Sequence, residues 1–290
     1  MAGGTEYFLR RLPNVIKYKD SYLTAHAKDI QVLILGSSHP YAGIDPDLFD
    51  KDTFNASFVS QCLQLDWQIF NKYKEELVSL ETIILPIAYF SLWYKLSDSI
   101  EAWRMKDYVI NYGIKSDIFI HKSHLLSSPL DSIINLFDYY IKRKTDLSCT
   151  EKGMSKRNVL EKNKKYQDNS QRRADQHTYN ITSAEKRRLY DENLSILERF
   201  AEYCLQNNIQ LIIVIMPAYK SYREKLNHEQ LNNMYNTIER VVLSYDFIDF
   251  IDLFDDQNFQ IEDYMDSDHL NSAGTLKISE ILNNSIVFFD

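Results

Sequence analysis

Short apolar runs, separated by longer amphipathic stretches, dominate the hydrophobic pattern of this chain. Four runs predict buried strands, at residues 31–35, 82–87, 210–216 and 247–253. The stretches between them have helical periodicity, most clearly at residues 65–80, 183–207, 227–244 and 272–283. Strands that are apolar on both faces and alternate with helices are typical of a parallel sheet covered on both sides. The pattern therefore predicts an α/β fold.

A fifth, shorter strand is predicted just before Asn55, so we expect a three-layer α/β/α sandwich with a parallel sheet of about five strands. The 290 residues are enough for one large domain of this kind. Distinctive polar residues follow several of the strands. The loops at the carboxyl ends of strands are where open α/β sheets bind their ligands.

Composition narrows the possible partners. The chain is 44% hydrophobic and 26% charged, as expected for a globular protein, and its formal net charge is −8. An acidic protein has no general affinity for phosphate backbones, so nucleic acid is not an expected partner. The three cysteines, Cys62, Cys149 and Cys204, lack the close spacing of metal or redox motifs and are predicted to be ordinary thiols.

One segment, residues 142–173, is basic although the protein is acidic. Either it is a solvated insertion, or it is a surface that meets an anionic glycan, a phosphate-bearing carrier or membrane headgroups. We leave both interpretations open at this stage. Its cations are Lys142, Arg143, Lys144, Lys152, Lys156, Arg157, Lys162, Lys164, Lys165, Arg172 and Arg173.

The candidate chemistry lies at the two ends of the predicted sheet domain. The first strand ends in Gly36 and leads directly to Ser38, and His269 stands near the start of the last helix. A serine becomes a nucleophile when a histidine takes its proton and a carboxylate orients that histidine. Asp266, three residues before His269, is a suitable third group. We therefore predict a catalytic triad of Ser38, His269 and Asp266.

A metal site is the alternative for the second segment, because Asp263, Asp266, Asp268 and His269 lie within seven positions. The segment has no second ligand cluster to complete a coordination sphere, and the triad explains it without a metal. We expect neither a metal nor a cofactor.

These residues, at these places, resemble the SGNH or GDSL hydrolase superfamily, a flavodoxin-like fold. Its first block is a strand followed by Gly-Asp-Ser, and its last block is Asp-x-x-His. The resemblance implies that Ser38, His269 and Asp266 are the triad, with Ser37 in place of the usual aspartate. Residues 214–217 and 248–252 resemble the late strands of the family.

The resemblance also implies donors for the oxyanion. The second-block glycine position is assigned to Ser57, whose backbone N–H would suffice. The third block, residues 84–91, contains no asparagine, so a side-chain donor is expected from Asn55, Gln61 or Tyr89, and Asn55 is preferred for its amide. His39, beside the nucleophile, either contacts substrate or packs the turn.

Residues 33–46 more specifically resemble SGNH-type proteins encoded among bacterial capsule and surface-glycan genes. This implies a serine-dependent O-acyltransferase, for acetyl groups in particular, or an esterase, with a carbohydrate acceptor and an acyl donor as partners. Relatives commonly carry a transmembrane helix before a segment like residues 9–14. That implies membrane association through an N-terminal anchor and a periplasmic catalytic domain; without an anchor, the protein would be cytoplasmic.

The expected organisation follows from this resemblance. Residues 1–30 are predicted to be an expression leader and a juxtamembrane remnant, and residues 31–290 the catalytic domain, with a helical and basic insertion at about residues 92–180. The rival hypothesis is a non-catalytic glycan-binding or assembly protein that retains the fold. The missing third-block asparagine is its best support.

Overall fold

A computed structural model of the chain describes residues 2–127, 129–143, 147–157, 166–245 and 247–287. Its centre is a five-stranded sheet in the order β2-β1-β3-β4-β5, in which every neighbouring pair is parallel. This confirms the predicted α/β class and the number of strands. The strands are β1 (Val32–Ile34), β2 (Thr53–Asn55), β3 (Thr82–Pro86), β4 (Gln210–Ile215) and β5 (Ile248–Asp252).

Helices cover both faces of this sheet and extend beyond it. In the described part of the chain, no helix is both long and apolar enough to cross a lipid bilayer. The helices are α1 (Ala2–Leu9), α2 (Val15–His26), α3 (Ser38–Gly43), α4 (Leu63–Tyr73), α5 (Met105–Asp107), α6 (His124–Ser127), α7 (Pro129–Tyr140), α8 (Ser170–His177), α9 (Ala184–Asn207), α10 (Lys220–Arg223), α11 (His228–Ser244) and α12 (Ser272–Asn284).

Alternate residues of each strand point to opposite faces and enter two separate hydrophobic cores. On one face, Leu33, Ile83 and Leu211 pack with side chains of α2, α4, α9 and α11. On the other face, Ile34 and Ile212 pack with α12 and with the segment after α3. The three layers therefore follow from strands that are apolar on both sides.

Several helix starts are fixed by asparagine or serine caps, whose side-chain oxygens accept hydrogen bonds from otherwise unpaired backbone N–H groups. Asn14 caps α2, Ser183 caps α9, Asn227 caps α11 and Asn271 caps α12. The Asn271 cap matters most for function, because it fixes the start of α12 directly after His269.

Two boundaries differ from those expected from the sequence. The helix predicted over residues 65–80 ends at Tyr73, because the chain turns there to reach β3. Helix α2 places Ile16 and Leu23 in the larger core, so the folded unit includes residues before the predicted domain start at residue 31.

The basic segment crosses the free edge of the sheet. Strand β2 is an edge strand, and the carbonyl of Lys152 accepts a hydrogen bond from the backbone N–H of Asn55 at 2.9 Å. Gly153 follows with φ +92°, and a Cβ at this position would lie 2.2 Å from the Asn55 carbonyl oxygen. Only glycine fits here, because both its backbone conformation and the lack of space exclude a side chain. This contact covers an exposed strand edge.

Gly153→Ala should therefore destabilise the fold more than the same change at Gly113. Gly113 also has a positive φ, +69°, but a Cβ there would meet nothing within 4 Å. Gly113→Ala should cost only the left-handed strain of about 1 kcal/mol. Gly153→Ala should lower the free energy of unfolding by at least about 2 kcal/mol more, because it adds steric overlap. Urea unfolding of the two variants measures this difference, and equal losses would contradict the close contact.

Candidate functional site

The turn that carries Ser38 is held in place by a hydrogen bond to Asp66. Strand β1 leads through Gly36, whose φ of +110° strongly favours glycine, and Ser38 then begins α3. The backbone N–H of Gly36 donates to Asp66 Oδ1 at 2.8 Å. This bond ties the turn to the first part of α4, which fixes the direction in which the hydroxyl of Ser38 points.

Asp66 is itself part of a buried polar network. Gln61 Nε2 donates to Asp66 Oδ1 at 2.6 Å, and the hydroxyl of Tyr108 donates to Gln61 Oε1 at 2.9 Å. Burial raises the pKa of Asp66 to about 7. Gln61 was one of the expected oxyanion donors, but its amide is used within this network. The structure therefore corrects that expectation and makes Gln61 a support of the nucleophile turn.

The loop before α12 carries the histidine that faces Ser38. His269 Nε2 lies 3.0 Å from Ser38 Oγ, and His269 Nδ1 lies 2.9 Å from Asp266 Oδ1. The same Asp266 oxygen accepts the backbone N–H groups of Asp268 and His269, at 3.2 and 2.9 Å. Asp266 therefore orders the loop and orients the imidazole at the same time. The structure brings all three predicted triad residues together in one hydrogen-bonded chain.

A second carboxylate, Asp268, also faces His269. Its Oδ1 lies 3.3 Å from His269 Nδ1, and its Oδ2 lies 3.2 Å from His39 Nε2. Arg173 of α8 binds both oxygens, with Nε at 3.0 and 2.9 Å. Sequence reasoning missed this role of Asp268 and Arg173, which are separated by 95 positions. The only signals were the acidic cluster around His269 and the basic segment.

The two carboxylates together raise the pKa of His269. Burial alone lowers the pKa of His269, but the charge of Asp268 and the hydrogen bond to Asp266 outweigh it and raise the pKa to about 9. Asp266 is nearer, yet the deeper burial of Asp268 makes its charge act more strongly. Burial opposes ionisation of Asp268, but His269, His39 and Arg173 hold its pKa well below the usual range.

His39 packs beneath the site. It is buried, its ring centroid lies 4.9 Å from that of His269, and its Nε2 is occupied by Asp268. Burial lowers the pKa of His39, and it lowers the pKa of the neighbouring His177 further. Of the two roles considered for His39, this geometry favours packing of the turn. Its neutral imidazole adds no positive charge beside His269.

Two of the expected oxyanion donors, Asn55 and Ser57, already donate their N–H groups to acceptors within the fold. Asn55 donates its amide to the carbonyls of Pro40 and Ile44, at 2.9 and 3.0 Å. The backbone N–H of Ser57 donates to Asn55 Oδ1 at 3.1 Å, and both residues are fully buried. Asn55 and Ser57 therefore hold the chain after β1 against the chain after β2, and this corrects their assignment as donors.

Tyr89 is also placed away from Ser38. Its hydroxyl lies 3.0 Å from Thr178 Oγ1 and accepts the backbone N–H of Asn227 at 3.1 Å. It therefore joins the segment after β3 to α11, and its expected contribution to the oxyanion is corrected in the same way. The sequence could not distinguish these roles, because each residue has the hydrogen-bonding groups that an oxyanion donor needs.

Ser60 is a further residue beside Ser38 whose position the sequence did not reveal. It follows β2, has an uncommon φ of +59° and lines the same cavity as Ser38. Among the described residues, no acceptor is recorded for the backbone N–H of Ser60 or of Ser38. The N–H of Ser38 also belongs to the first turn of α3, where such groups have no partner within the helix.

The cavity above Ser38 has a volume of about 490 Å³. His269 and Ser38 lie at one side, and the aromatic rings of Phe90, Tyr94 and Tyr179 line it further on. Arg157 from the basic segment also lines it, with Nη2 4.0 Å from Asp266 Oδ2. The basic segment thus brings arginines to the site. Its residues Lys144, Lys162, Lys164 and Lys165 lie outside the described residues.

Three of the site residues have atoms close enough to share a metal ion: His39, Asp268 and His269. Their donor atoms are engaged by one another, by Arg173, by Ser38 and by Asp266. A divalent ion here would face the guanidinium of Arg173. Asp263, also part of the predicted acidic cluster, pairs instead with Lys277 at 2.6 Å. This donor set does not suit a metal.

Comparisons with known proteins gave structural neighbours only. No family model matches the sequence, and no curated protein matches it. Two solved structures are similar to it over most of their length. One, a "putative acylhydrolase" from Bacteroides fragilis, is 10% identical with a TM-score of 0.45, covering 91% of this chain and 93% of its own. The other, a GDSL-like lipase from Bacteroides thetaiotaomicron, is 13% identical with a TM-score of 0.46, covering 94% and 98%.

The raised pKa of His269 predicts an alkaline pH dependence for any reaction in which His269 accepts the proton of Ser38. Only neutral imidazole can accept it, so the rate should rise with pH, reach half of its plateau near pH 9 and level off above that. Asp268→Asn removes the negative charge that favours the protonated ring, and this should shift the profile to lower pH. Hydrolysis of an activated acetyl ester between pH 5 and 10 measures the shift.

Lys277→Gln is a matched control, because it alters the nearby pair with Asp263 and leaves His269 untouched. Its profile should coincide with that of the unaltered protein. An unchanged profile in Asp268→Asn would show that Asp268 does not govern the protonation of His269.

Proposed function

We propose that this protein is a serine-dependent esterase or O-acyltransferase of the SGNH type, which forms an acyl-enzyme on Ser38. The observation that carries the proposal is the hydrogen-bonded chain from Ser38 Oγ to His269 Nε2 and from His269 Nδ1 to Asp266 Oδ1. Nucleophile, base and orienting carboxylate are all present at hydrogen-bonding distance.

In the proposed first step, His269 takes the proton of Ser38 as Ser38 Oγ attacks the ester carbonyl carbon. The carbonyl electrons move to the oxygen, and the backbone N–H groups of Ser38 and Ser60 are the candidate donors for this oxyanion. When the carbonyl re-forms, the C–O bond to the alcohol breaks and His269 returns the proton to the leaving alcohol. The acyl group then remains on Ser38.

The second step repeats this chemistry with a new nucleophile. A hydroxyl group of the acceptor loses its proton to His269 and attacks the acyl carbon, and Ser38 leaves with the proton. If the acceptor is water, the reaction is hydrolysis; if it is a sugar hydroxyl, the acyl group is transferred. Asp266 holds the imidazole in one orientation throughout both steps.

We further propose that the acceptor is a bacterial surface or capsular polysaccharide. Support comes from the resemblance of residues 33–46 to SGNH-type proteins of surface-glycan gene clusters. The cavity is consistent with it, since aromatic rings that suit sugar stacking lie beside serine and glutamine side chains that can hydrogen-bond hydroxyls. Its volume of about 490 Å³ is in the range of small-molecule sites.

Ser38→Ala should abolish turnover of an activated acetyl ester, with a loss of about 1,000-fold or more, because no nucleophile remains. Mass spectrometry should find the acetyl group on Ser38 in the unaltered protein. Ser37→Ala serves as the control, since Ser37 lies next to the nucleophile in the same cavity but outside the hydrogen-bonded chain. If the unaltered protein neither turns over the ester nor acquires the acetyl group on Ser38, the rival non-catalytic glycan-binding role is favoured; turnover that persists in Ser38→Ala would contradict Ser38 as the nucleophile.

The acceptor is tested separately in cells. Surface glycan from a strain that carries only the Ser38→Ala protein should contain less O-linked acyl group if the protein is a transferase, and more if it is an esterase. Mild alkaline release of the acyl groups, followed by their quantification, measures the change. Identical acyl content in the two strains would contradict the polysaccharide as substrate while leaving the ester chemistry of Ser38 intact.

A further inference from the structure

Helix α7 has its amphipathic faces reversed relative to a normal surface helix. Its polar residues Ser132, Asn135 and Asp138 line an open cleft on the side that faces the rest of the protein, together with Arg10 and Asp107. Most of its large apolar residues lie on the opposite side and are exposed. Surface helices of globular proteins usually bury the apolar stripe and expose the polar one.

The outward stripe is continuous along the helix. The residues lie at spacings of three and four positions, which place them on one side of a helix, and they are 42% to 76% exposed. They are Leu130, Ile133, Ile134, Phe137, Tyr140 and Ile141.

Helix α1 extends this stripe sideways. Tyr7 and Phe8 of α1 are about half exposed, and the ring of Phe8 contacts that of Tyr140 with centroids 5.8 Å apart. We call the combined surface of these two residues and the α7 stripe the α1–α7 face. A contiguous apolar surface of this kind marks an interaction site, because monomeric proteins rarely leave one in water.

Cations stand at one end of the α1–α7 face. Arg10 and Arg11 follow α1, and Lys142 and Arg143 follow α7 after Ile141. Arg10 also pairs with Glu6 at 3.0 Å and Lys142 with Asp138 at 2.7 Å. The guanidinium of Arg11 lies over the Tyr7 ring at 4.3 Å, and the ammonium of Lys142 lies over the Phe137 ring at 5.4 Å. The contact between Phe8 and Tyr140 brings these two helix ends together.

We propose that the α1–α7 face binds the surface of an anionic lipid membrane. Exposed aliphatic and aromatic side chains with cations at their border are the combination that places a helix in the headgroup region, where the apolar stripe enters the acyl boundary and the cations meet lipid phosphates. These cations are needed for binding, because the protein as a whole has a net charge of −8. An anionic membrane would repel the rest of its surface. The proposal is independent of the esterase activity proposed above.

Vesicle sedimentation with the full chain tests this. The vesicles contain roughly one-third phosphatidylglycerol in phosphatidylcholine, and pure phosphatidylcholine vesicles are compared with them. The protein should bind the anionic vesicles and bind the neutral ones more weakly. The double variant Leu130→Glu, Ile134→Glu should bind the anionic vesicles at least about tenfold more weakly, because it places charges where the apolar stripe meets the lipid.

Leu243→Glu is the matched control, since Leu243 is a highly exposed leucine on α11, outside the α1–α7 face. It should bind like the unaltered protein. Ile133→Ser repeats the comparison without added charge if the double variant loses its thermal unfolding transition. Absence of binding to the anionic vesicles, or equal binding by the stripe variants, would overturn the proposal.

Sedimentation velocity tests the alternative that a second copy of the chain, and not a membrane, covers the α1–α7 face. A dimer that the stripe variants convert to monomer, in a protein that does not bind vesicles, would assign the α1–α7 face to self-association and overturn the membrane proposal. A monomer that binds vesicles through the stripe supports it.

Discussion

The site depends on the pairing of the buried Asp268 carboxylate with the cation and imidazoles around it. A buried charge is costly to remove from water unless paired and hydrogen-bonded groups replace the lost hydration. Arg173 supplies that pairing with bonds to both oxygens, and His39 and His269 complete the shell. These partners come from the first helix after β1, from α8 and from the last loop. The need to satisfy one charge therefore joins three distant parts of the chain at the nucleophile.

Ser38 and His269 line one side of the cavity, and the residues that hold them in place lie behind them. Asp66, Gln61 and Asn55 use their polar atoms to hold the loops after β1 and β2 in register. Backbone N–H groups are thereby left as the available donors beside Ser38. This division suits catalysis, because donors fixed by the main chain need no rearrangement when negative charge develops.

Local patterns sufficed to predict the sheet and to select Ser38, His269 and Asp266, which the structure brings within hydrogen-bonding distance of one another. The strands are apolar runs that end in polar turns, and the pair of Ser38 and His269 stands where the carboxyl ends of parallel strands must meet. The donors could not be assigned in this way. Whether the amide of Asn55 faces the cavity or a carbonyl, and whether Ser60 adopts a positive φ, depends on packing between separate loops. Nor does any spacing rule connect Arg173 with Asp268, since α8 reaches the site only through the tertiary fold.

The separation of Ser38 and His269 along the chain has a consequence for biosynthesis. They are 231 positions apart, so the turn with Ser38 is synthesised long before the loop that carries His269. Until the final loop docks, Ser38 has neither a proton acceptor nor the carboxylates that tune it. Such long-range contacts form late, after the loop entropy between them has been overcome. A partly folded chain would therefore hold an isolated serine hydroxyl at this position, and the hydrogen-bonded chain through Ser38, His269 and Asp266 would form only when these distant segments dock.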